Sequence, residues 1–516
     1  MNDQQNMRLG AQFVKVLILL AHPRGQSTFC GGLAQAYAEG ARAAGCTVKT
    51  LDLAAIKFNP DVMTPSPREQ ALEADLVAAR GTIEWADHIV FVYPTWWGVF
   101  PARLKGFLDR LLTPGWAFEE ISGGTGYAGL LGGRTAELIT TMDTPGLVYD
   151  WLYGAPGRKA MARATLGFCG IDVVSHKRFG PVKSSTPTTR ATWLDEARRR
   201  GGLLARGPYT AGQRLWRRIS PWLAALRLQF YPMTFLAYWI GALLTNTQGA
   251  GLSAARFWAG YALLFLLEAA TVFTNDRLDY DTDSRNPNWG PFNGGSRALL
   301  GGGLTARALW LGGIFALVGA GMLALGLVAT SAEPWTLALF LLVSTVIAVG
   351  YTAPPLQLSY RALGELDVGL THSFMAIMAG RIFQNAAALD TRSFWIAAPM
   401  FLSILPSIAL SAIPDRDADA EAGKKTLAVA LGIGAVYRLA AVVAVLAALA
   451  ALITQTLVVS VYGWMAIVAI MIHALWLART CLRQGALGVA ARRIDSLMVV
   501  ALTFILWFCI APLFSL

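Results

Sequence analysis

Charge is scarce in this chain, and cysteine is scarcer. Charged residues make up 15% of the 516 positions against 55% hydrophobic. The five cysteines (Cys30, Cys46, Cys169, Cys481 and Cys509) form no CxxC pair and follow no zinc spacing, which excludes a zinc site and a disulfide framework. A Gly-rich dinucleotide fingerprint is missing too, which argues against a Rossmann site. No signal peptide is expected: the apolar run Phe13 to Ala21 is short and ends in His22-Pro23, not in a small-residue cleavage site. It reads instead as a buried first strand, and the soluble half is expected in the cytoplasm. The net charge of +11 does not indicate nucleic acid. Its excess lies beside apolar segments, with Arg198, Arg199, Arg200, Arg206, Arg214, Arg217, Arg218 and Arg227 preceding the first of them, where arginine marks a membrane interface and anionic headgroups.

The shortage of charge is uneven. Residues 1–202 read as an ordinary soluble domain, 203–227 as a short basic, aromatic interfacial linker, and 228–516 as a membrane domain. The last part holds about nine apolar runs of spanning length, near 228–247, 255–274, 305–328, 334–352, 367–389, 394–413, 428–451, 456–478 and 494–514. The loops after the second, fourth, sixth and eighth carry Arg277, Arg285, Arg297, Arg307, Arg361, Arg416, Lys424, Lys425, Arg479, Arg483, Arg492 and Arg493, whereas the opposite loops carry little beyond Arg256 and Arg392. This asymmetry places the former loops in the cytoplasm and the protein as a multi-pass species in the inner or plasma membrane. Arg381 and Gln384 interrupt the fifth run, and an intramembrane arginine is a functional candidate by default.

Two acidic runs stand out against this apolar background: Asn275-Asp-Arg-Leu-Asp279-Tyr-Asp-Thr-Asp283 and Asp415-Arg-Asp-Ala-Asp419. A carboxylate at mid-bilayer costs roughly 2.5–3.5 kcal/mol on insertion scales, so both belong at a membrane face. On a helix, Asn275, Asp279 and Asp283 share one face at i, i+4 and i+8, as do Asp415 and Asp419. Two facing sets of hard oxygen donors suit Mg²⁺ held together with substrate phosphates, which points to a diphosphate substrate.

These runs, with Tyr351-Thr-Ala-Pro-Pro-Leu356, Gly364-Glu-Leu366 and the sequence from Gly423 to Thr426, resemble the UbiA superfamily of intramembrane prenyltransferases over about residues 225–516. The resemblance implies an all-α bundle with a cavity open to lipid. It implies Asn275, Asp279, Asp283, Asp415 and Asp419 as the Mg²⁺ site on a prenyl diphosphate, and Arg285 with Lys424 or Lys425 on phosphate oxygens. Phe273, Tyr280, Tyr351 and Phe374 are the aromatic candidates for facing the electron-deficient allylic carbon. The lead-in Ser411-Ala-Ile-Pro414 departs from the asparagine-rich form of many members.

The soluble half alternates strands (near 13–21, 47–53, 88–93 and 134–141) with helical stretches, a doubly wound parallel α/β pattern. Ser27 or Thr28 can cap the first helix, whose N-terminus is a ready phosphate site. The third strand runs into Pro94-Thr95-Trp96-Trp97 and on through Pro101-Ala-Arg-Leu-Lys-Gly106, placing aromatics where open sheets bind ligands. Over about residues 12–202 these segments resemble the flavodoxin-like NAD(P)H:quinone oxidoreductases. That implies bound FAD, or FMN, with NAD(P)H as cosubstrate and a homodimer completing the site. His22, Ser27, Thr28 and Phe29 would hold the flavin phosphates, Pro94, Thr95, Trp96 and Trp97 would flank its ring, and Thr140, Thr141 and Tyr149 would close the other side. Two departures are the lack of a histidine at 154–157 and Cys30 in place of the frequent asparagine.

Joined, the halves describe an enzyme that reduces a quinone and prenylates the aromatic quinol, because an allylic electrophile needs an electron-rich ring. Two other readings stay open: a prenyltransferase for a non-aromatic acceptor beside a redox-defence reductase, and a membrane-anchored quinone reductase. An anchor has no use for the aspartate pairs.

Overall fold

The computed structural model describes residues 14–120, 127–246, 251–387, 390–454, 461–487 and 494–514. Phe13, Thr247, residues 388–389 and 456–460, Arg492 and Arg493 lie outside them. The chain divides into two compact units, Met1–Leu215 and Trp216–Leu516, with the division inside the helix Ala211–Leu226.

In the first unit, β1 (Lys15–Leu20), β2 (Thr47–Asp52), β3 (His88–Pro94), β6 (Thr135–Thr141) and β7 (Asp172–Phe179) form one parallel sheet in the order β2-β1-β3-β6-β7. Two short strands, β4 (Phe118–Glu120) and β5 (Tyr127–Gly129), pair by themselves. β3 and β6 are buried throughout, so they read as continuous apolar or small-residue runs, not as alternating ones. The order reverses between β1 and β3, and such a switch point opens a crevice at the carboxyl ends of the strands. Helices Phe29–Ala43 and Pro187–Gly202 cover one face and Ala74–Trp85 and Ala102–Leu111 the other, giving two separate apolar layers.

The second unit is all helical. Six of its helices are long and apolar enough to cross a membrane: Ala254–Leu278, Ala306–Ala329, Thr391–Ser411, Ile433–Thr454, Gly463–Ala486 and Asp495–Leu513. The expected runs near 228–247, 334–352 and 367–389 are helical but shorter or interrupted, as Tyr231–Asn246, Pro334–Gly350 and the stretch from Gly364 to Ile382 with a wide turn at Thr371–Met375. Length and hydropathy therefore establish six spans among the described residues and leave the number nine unset. Without a hydrophobic drive between helices in lipid, close approach depends on small residues. Ala440, Ala444, Ala447, Ala448 and Ala451 do this on Ile433–Thr454. At Gly241 and Gly380 the backbones of two helices meet so closely that a Cβ would stand 2.1 Å from a facing carbonyl oxygen.

Arg381, the intramembrane arginine, is accounted for locally. Its guanidinium lies 3.1 Å from the Asp390 carboxylate and donates to the Ala387 carbonyl at 2.8 Å. Gln384 is bonded to the backbone of Ser253 on both sides of its amide. Both residues fasten the loops at that end of the bundle.

Candidate functional site

At the carboxyl edge of the first sheet, Pro94 is in register with Thr141 and Tyr93 with Thr140, which brings the ends of β3 and β6 side by side. Thr95 N–H continues the pairing to the Thr141 carbonyl at 2.7 Å. Trp96 and Val99 then exchange backbone hydrogen bonds across Trp97 (φ 51°) and Gly98 (φ 77°). Two successive positive φ values make a tight reversal that glycine tolerates and tryptophan does not favour. The result is a Trp97 side chain fully exposed at the switch point, beside a half-exposed Trp96 that meets His22 edge-on at 5.7 Å. Tyr149 is buried beneath this turn, where its hydroxyl donates to the Gly98 carbonyl at 3.2 Å.

Thr28 caps the helix Phe29–Ala43, accepting from Gly31 N–H at 3.2 Å, and Ser27 instead donates to the Arg24 carbonyl within the preceding turn. Phe29 packs on Trp193 at 5.9 Å. Cys30 Sγ lies 3.3 Å from Thr141 Oγ1, and burial pushes its thiol up to about 11, so it is an inert neighbour. Two further residues belong to this edge. His176 on β7 bonds to Thr140 Oγ1 at 3.0 Å, and Arg178 pairs with Asp150 at 3.1 Å while lying over the Tyr149 ring. No motif marks them, because β7 carries no apolar run.

The second unit holds a cavity of about 320 Å³. Asn275, Asp279, Asp283, Asp415, Asp419 and Lys424 line one end of it. The first acidic run is a nearly continuous helix broken at Asp279, and the i, i+4 bonds persist across the break: Asp279 N–H to the Asn275 carbonyl and Asp283 N–H to the Asp279 carbonyl, both 2.8 Å. Asp419 N–H bonds in the same way to the Asp415 carbonyl at 2.8 Å. Asn275 Nδ2 donates to Asp279 at 2.7 Å and to Thr352 at 3.1 Å. Lys424 Nζ stands 2.7 Å from Asp279 Oδ2 and 3.9 Å from Asp419 Oδ1, and Tyr360 donates to the other Asp279 oxygen at 2.8 Å.

Sequence reasoning missed the loop that holds Asp415. Asn286 and Asn293 donate to its Oδ1 at 2.6 and 2.8 Å, and Gly294 N–H to its Oδ2 at 3.2 Å. Gly294 and Gly295 both have φ near +70°, and a Cβ on Gly295 would stand 2.0 Å from Asp283. Glycine is thus required for the loop to lie against the carboxylates.

Burial, with Asp279 and Asp415 nearby, pushes Asp283 up to about 7. Burial, with Asp415 and Asp279 nearby, does the same to Asp419, against the pull of Lys424. For Lys424, burial works against the charge, but Asp279 and Asp419 more than offset it and hold its pKa above the ordinary lysine range. Positive charge is therefore short at this end. Among the described residues no three His, Cys, Asp or Glu side chains converge as a ready-made metal centre, and Lys424 fills the space between Asp279 and Asp419. The all-oxygen donor set and the acids held near 7 nonetheless fit a hard divalent cation.

Some expected residues lie elsewhere. Arg285 and Lys425 are exposed and stand outside the cavity lining, because the short helix Tyr280–Arg285 turns Arg285 outward; Arg227 lines the cavity with Lys424. Of the aromatic candidates only Tyr351 lines it. Phe273 is spent on packing against Trp222, Phe374 on Phe394 and Phe401, and Tyr280 is exposed. Phe230, Phe292 and Phe340 are the aromatics that join Tyr351.

The sequence profile of the UbiA prenyltransferase family matches residues 231–494, and that of a flavodoxin-like fold matches 14–200. The chain belongs to the UbiA prenyltransferase family. Its first unit is similar to ribosyldihydronicotinamide dehydrogenase (quinone) of Mus musculus, at 30% identity over 189 residues, 31% of this chain and 79% of that protein. It is also similar to the FMN-dependent NADH:quinone oxidoreductase of Ruegeria pomeroyi, at 32% identity over 32% of this chain and 89% of that protein. Among solved structures, an NAD(P)H:quinone oxidoreductase from Methanothermobacter marburgensis aligns at 26% identity over 37% of this chain and all of that one, with a TM-score of 0.33. The UbiA-type prenyltransferase domain of this multi-pass membrane protein is thus fused to a domain of the NAD(P)H quinone oxidoreductase kind.

Proposed function

We propose that this protein reduces a quinone with NAD(P)H through a bound flavin in its first unit and transfers a prenyl group from a prenyl diphosphate to the resulting aromatic quinol in its second, with Mg²⁺. The observation that carries the reading is the two-ended cavity. Its acidic end meets walls of Leu264, Leu267, Phe340, Ile404 and Leu502, so a charged head and a long apolar tail each find matching surroundings. Asn275, Asp279, Asp283, Asp415 and Asp419 would hold the metal. When bound, it neutralises the diphosphate and helps the allylic C–O bond ionise. Lys424 and Arg227 offer further positive charge to phosphate oxygens. The Tyr351 ring, which lines the cavity, would face the allylic positive charge as it develops, and the apolar walls would exclude water from it.

In the first unit His22, Ser27, Thr28 and Phe29 would meet the flavin phosphates, Pro94, Thr95, Trp96 and Trp97 one face of the ring, and Thr140, Thr141 and Tyr149 its far side. When bound, the flavin carries hydride from NAD(P)H to the quinone. An exposed Trp97 platform fits a flat ring, and Leu147, Trp151, Leu152 and Tyr153 next to it are also exposed, an apolar rim suited to a second copy of the chain. The first unit and the loops bearing the acidic runs would face the cytoplasm.

The test is coupling. Given quinone, prenyl diphosphate and Mg²⁺, prenylated product should form only with NAD(P)H, whereas pre-reduced quinol should need no nicotinamide. Trp97→Ala should slow transfer from quinone by about tenfold, the loss of one stacking and packing contact, and leave transfer from quinol unchanged. Equal prenylation of quinone without NAD(P)H would sink the coupled reading.

A further inference from the structure

Seven residues before Asn275 on the same helix stands Glu268, about 10 Å along the axis from the acidic end. Facing it is His372, in the wide turn Thr371–Met375. Both line the cavity, with Thr234, Asp367 and Thr371. Thr234 donates to Glu268 Oε2 at 3.1 Å. His372 Nδ1 lies 3.0 Å from the Val368 carbonyl, and a carbonyl only accepts, so this nitrogen carries a hydrogen. The other nitrogen, Nε2, faces Glu268 Oε1 at 3.7 Å. That separation is too long for a hydrogen bond, and a third polar atom lying to one side, at about 2.8 Å from each, can bridge the two. Tyr231 and Tyr261 are the other titratable groups around Glu268. Ionisable pairs inside a membrane bundle are expensive and mark function when they line a cavity, and the diphosphate end makes no use of this one.

We infer that Glu268 and His372 form the slot for a ring hydroxyl of the acceptor and read its oxidation state, admitting quinol and rejecting quinone; this rests on the prenyltransferase reading above. A hydroxyl is both donor and acceptor. Lying beside the pair, it donates to Glu268 Oε1 and accepts from His372 Nε2–H, the imidazole carrying a proton on both nitrogens as the ionic partner of that carboxylate. A quinone carbonyl can only accept, and it sets its lone pairs against the carboxylate. The same slot serves the chemistry. The ring carbon forms a C–C bond to the allylic carbon as the C–O bond breaks and its electron pair leaves with the diphosphate. The ring is then briefly cationic, and the hydroxyl's bond to Glu268 strengthens as that charge develops. Loss of the ring C–H proton to the released diphosphate restores aromaticity, and no oxidant is needed. The membrane unit would thus select the product of the reduction and turn away its substrate.

The experiment uses the full-length protein with Mg²⁺, prenyl diphosphate and pre-reduced quinol, without nicotinamide, and measures the quinol KM and the inhibition constant of the matching quinone. Wild type should bind quinol at least about tenfold better than quinone, the effect of one hydrogen bond to a charged group. Glu268→Gln is nearly isosteric but offers an amide N–H, so it should raise the quinol KM about tenfold and tighten quinone inhibition until the two are within a few-fold. His372→Leu should lose most turnover and His372→Gln, which can still donate, should recover part of it. The KM for prenyl diphosphate should stay within about twofold in Glu268→Gln, whereas packing damage would move both substrates together. An unchanged quinol-to-quinone ratio in Glu268→Gln would overturn the slot while leaving the prenyltransferase reading intact. A wild type that prenylates no quinol would overturn both.

Discussion

In the first unit one cluster of buried ionisable groups lies toward the amino ends of the strands. His88 and Thr135 begin β3 and β6 and are bonded to each other at 2.8 Å, and Tyr37 donates to Glu137 at 3.0 Å, with Arg200 closing on the same carboxylate. The proposed flavin edge, at the opposite ends, is made mostly of hydroxyls, backbone and aromatic faces. In the second unit the buried acids, apart from Asp276, line the cavity itself. The contrast follows from what each unit would be asked to do. A unit whose chemistry comes from a cofactor needs shape at its site and can use buried charge for packing alone. A unit that must pull a diphosphate from an allylic carbon needs concentrated charge, and it keeps that charge unbalanced at some cost to its own stability.

The largest test of this contrast removes one carboxylate from the cavity. Asp279→Asn removes the charge and one of the two oxygens that serve Lys424 and Tyr360, and Asp415→Asn removes the charge and one of the two that serve Asn286, Asn293 and Gly294. Prenyl transfer should fall by about a hundredfold or more in each, since removing a transition-state electrostatic partner costs roughly 10²–10³. NAD(P)H oxidation should stay near wild type, because the first unit has its own core. Mg²⁺-dependent transfer at the wild-type rate in both variants would show that the buried acids are structural here as well.

The next test acts on the first unit. Burial pushes His88 down from the ordinary 6.5 to about 4. The unfolded chain therefore takes up a proton before the folded one does. Stability from keeping His88 neutral is complete above about pH 6.5 and is lost as pH falls through about 4, with up to about 3 kcal/mol at stake. The midpoint of thermal inactivation of NAD(P)H oxidation should drop over that window. His88→Gln should start lower, by about 1 kcal/mol for the altered bond to Thr135, and should show a flatter pH dependence. An equally steep decline in His88→Gln would assign the loss to another group, with His176, also pushed to about 4, the first to examine.

Much of both units was legible in the sequence because their strongest signals are periodic or compositional. Three of the five sheet strands, β1, β3 and β6, are mostly apolar or small-residue runs, β2 mixes Val and Leu with polar residues, and the two acidic runs show their i, i+4 spacing without any structure. The fifth strand, β7, reads Asp-Val-Val-Ser-His-Lys-Arg-Phe and sits half exposed at a sheet edge, so neither alternation nor a continuous apolar run betrays it. The loop around Asp415 was illegible for another reason. Asn286, Asn293 and Gly294 are common turn residues, and only the positive φ values at Gly294 and Gly295 turn them into a cradle. Glu268 and His372 are 104 positions apart in sequence and meet only through packing of their helical segments. Helix–helix register in a bundle leaves no local mark.

The smallest expected effect separates the two arginines on which sequence and structure differ. A basic residue shortly after the first acidic run points to Arg285 as a phosphate contact, yet the last turn of Tyr280–Arg285 leaves it in solvent. Arg227, which read as one more interfacial arginine, lines the cavity at a backbone φ of +53°. That conformation is uncommon for a residue with a Cβ and sets where its side chain can begin. Arg285→Ala should leave the KM for prenyl diphosphate within about twofold, as surface charges contribute a few tenths of a kcal/mol to about 1 kcal/mol. Arg227→Ala should raise that KM by about tenfold, the scale of a charge-assisted bond to phosphate, with little change in the quinol KM. The reverse ranking would mean that the Tyr280–Arg285 helix turns inward when substrate binds, and that the cavity takes its second cation from the acidic run itself.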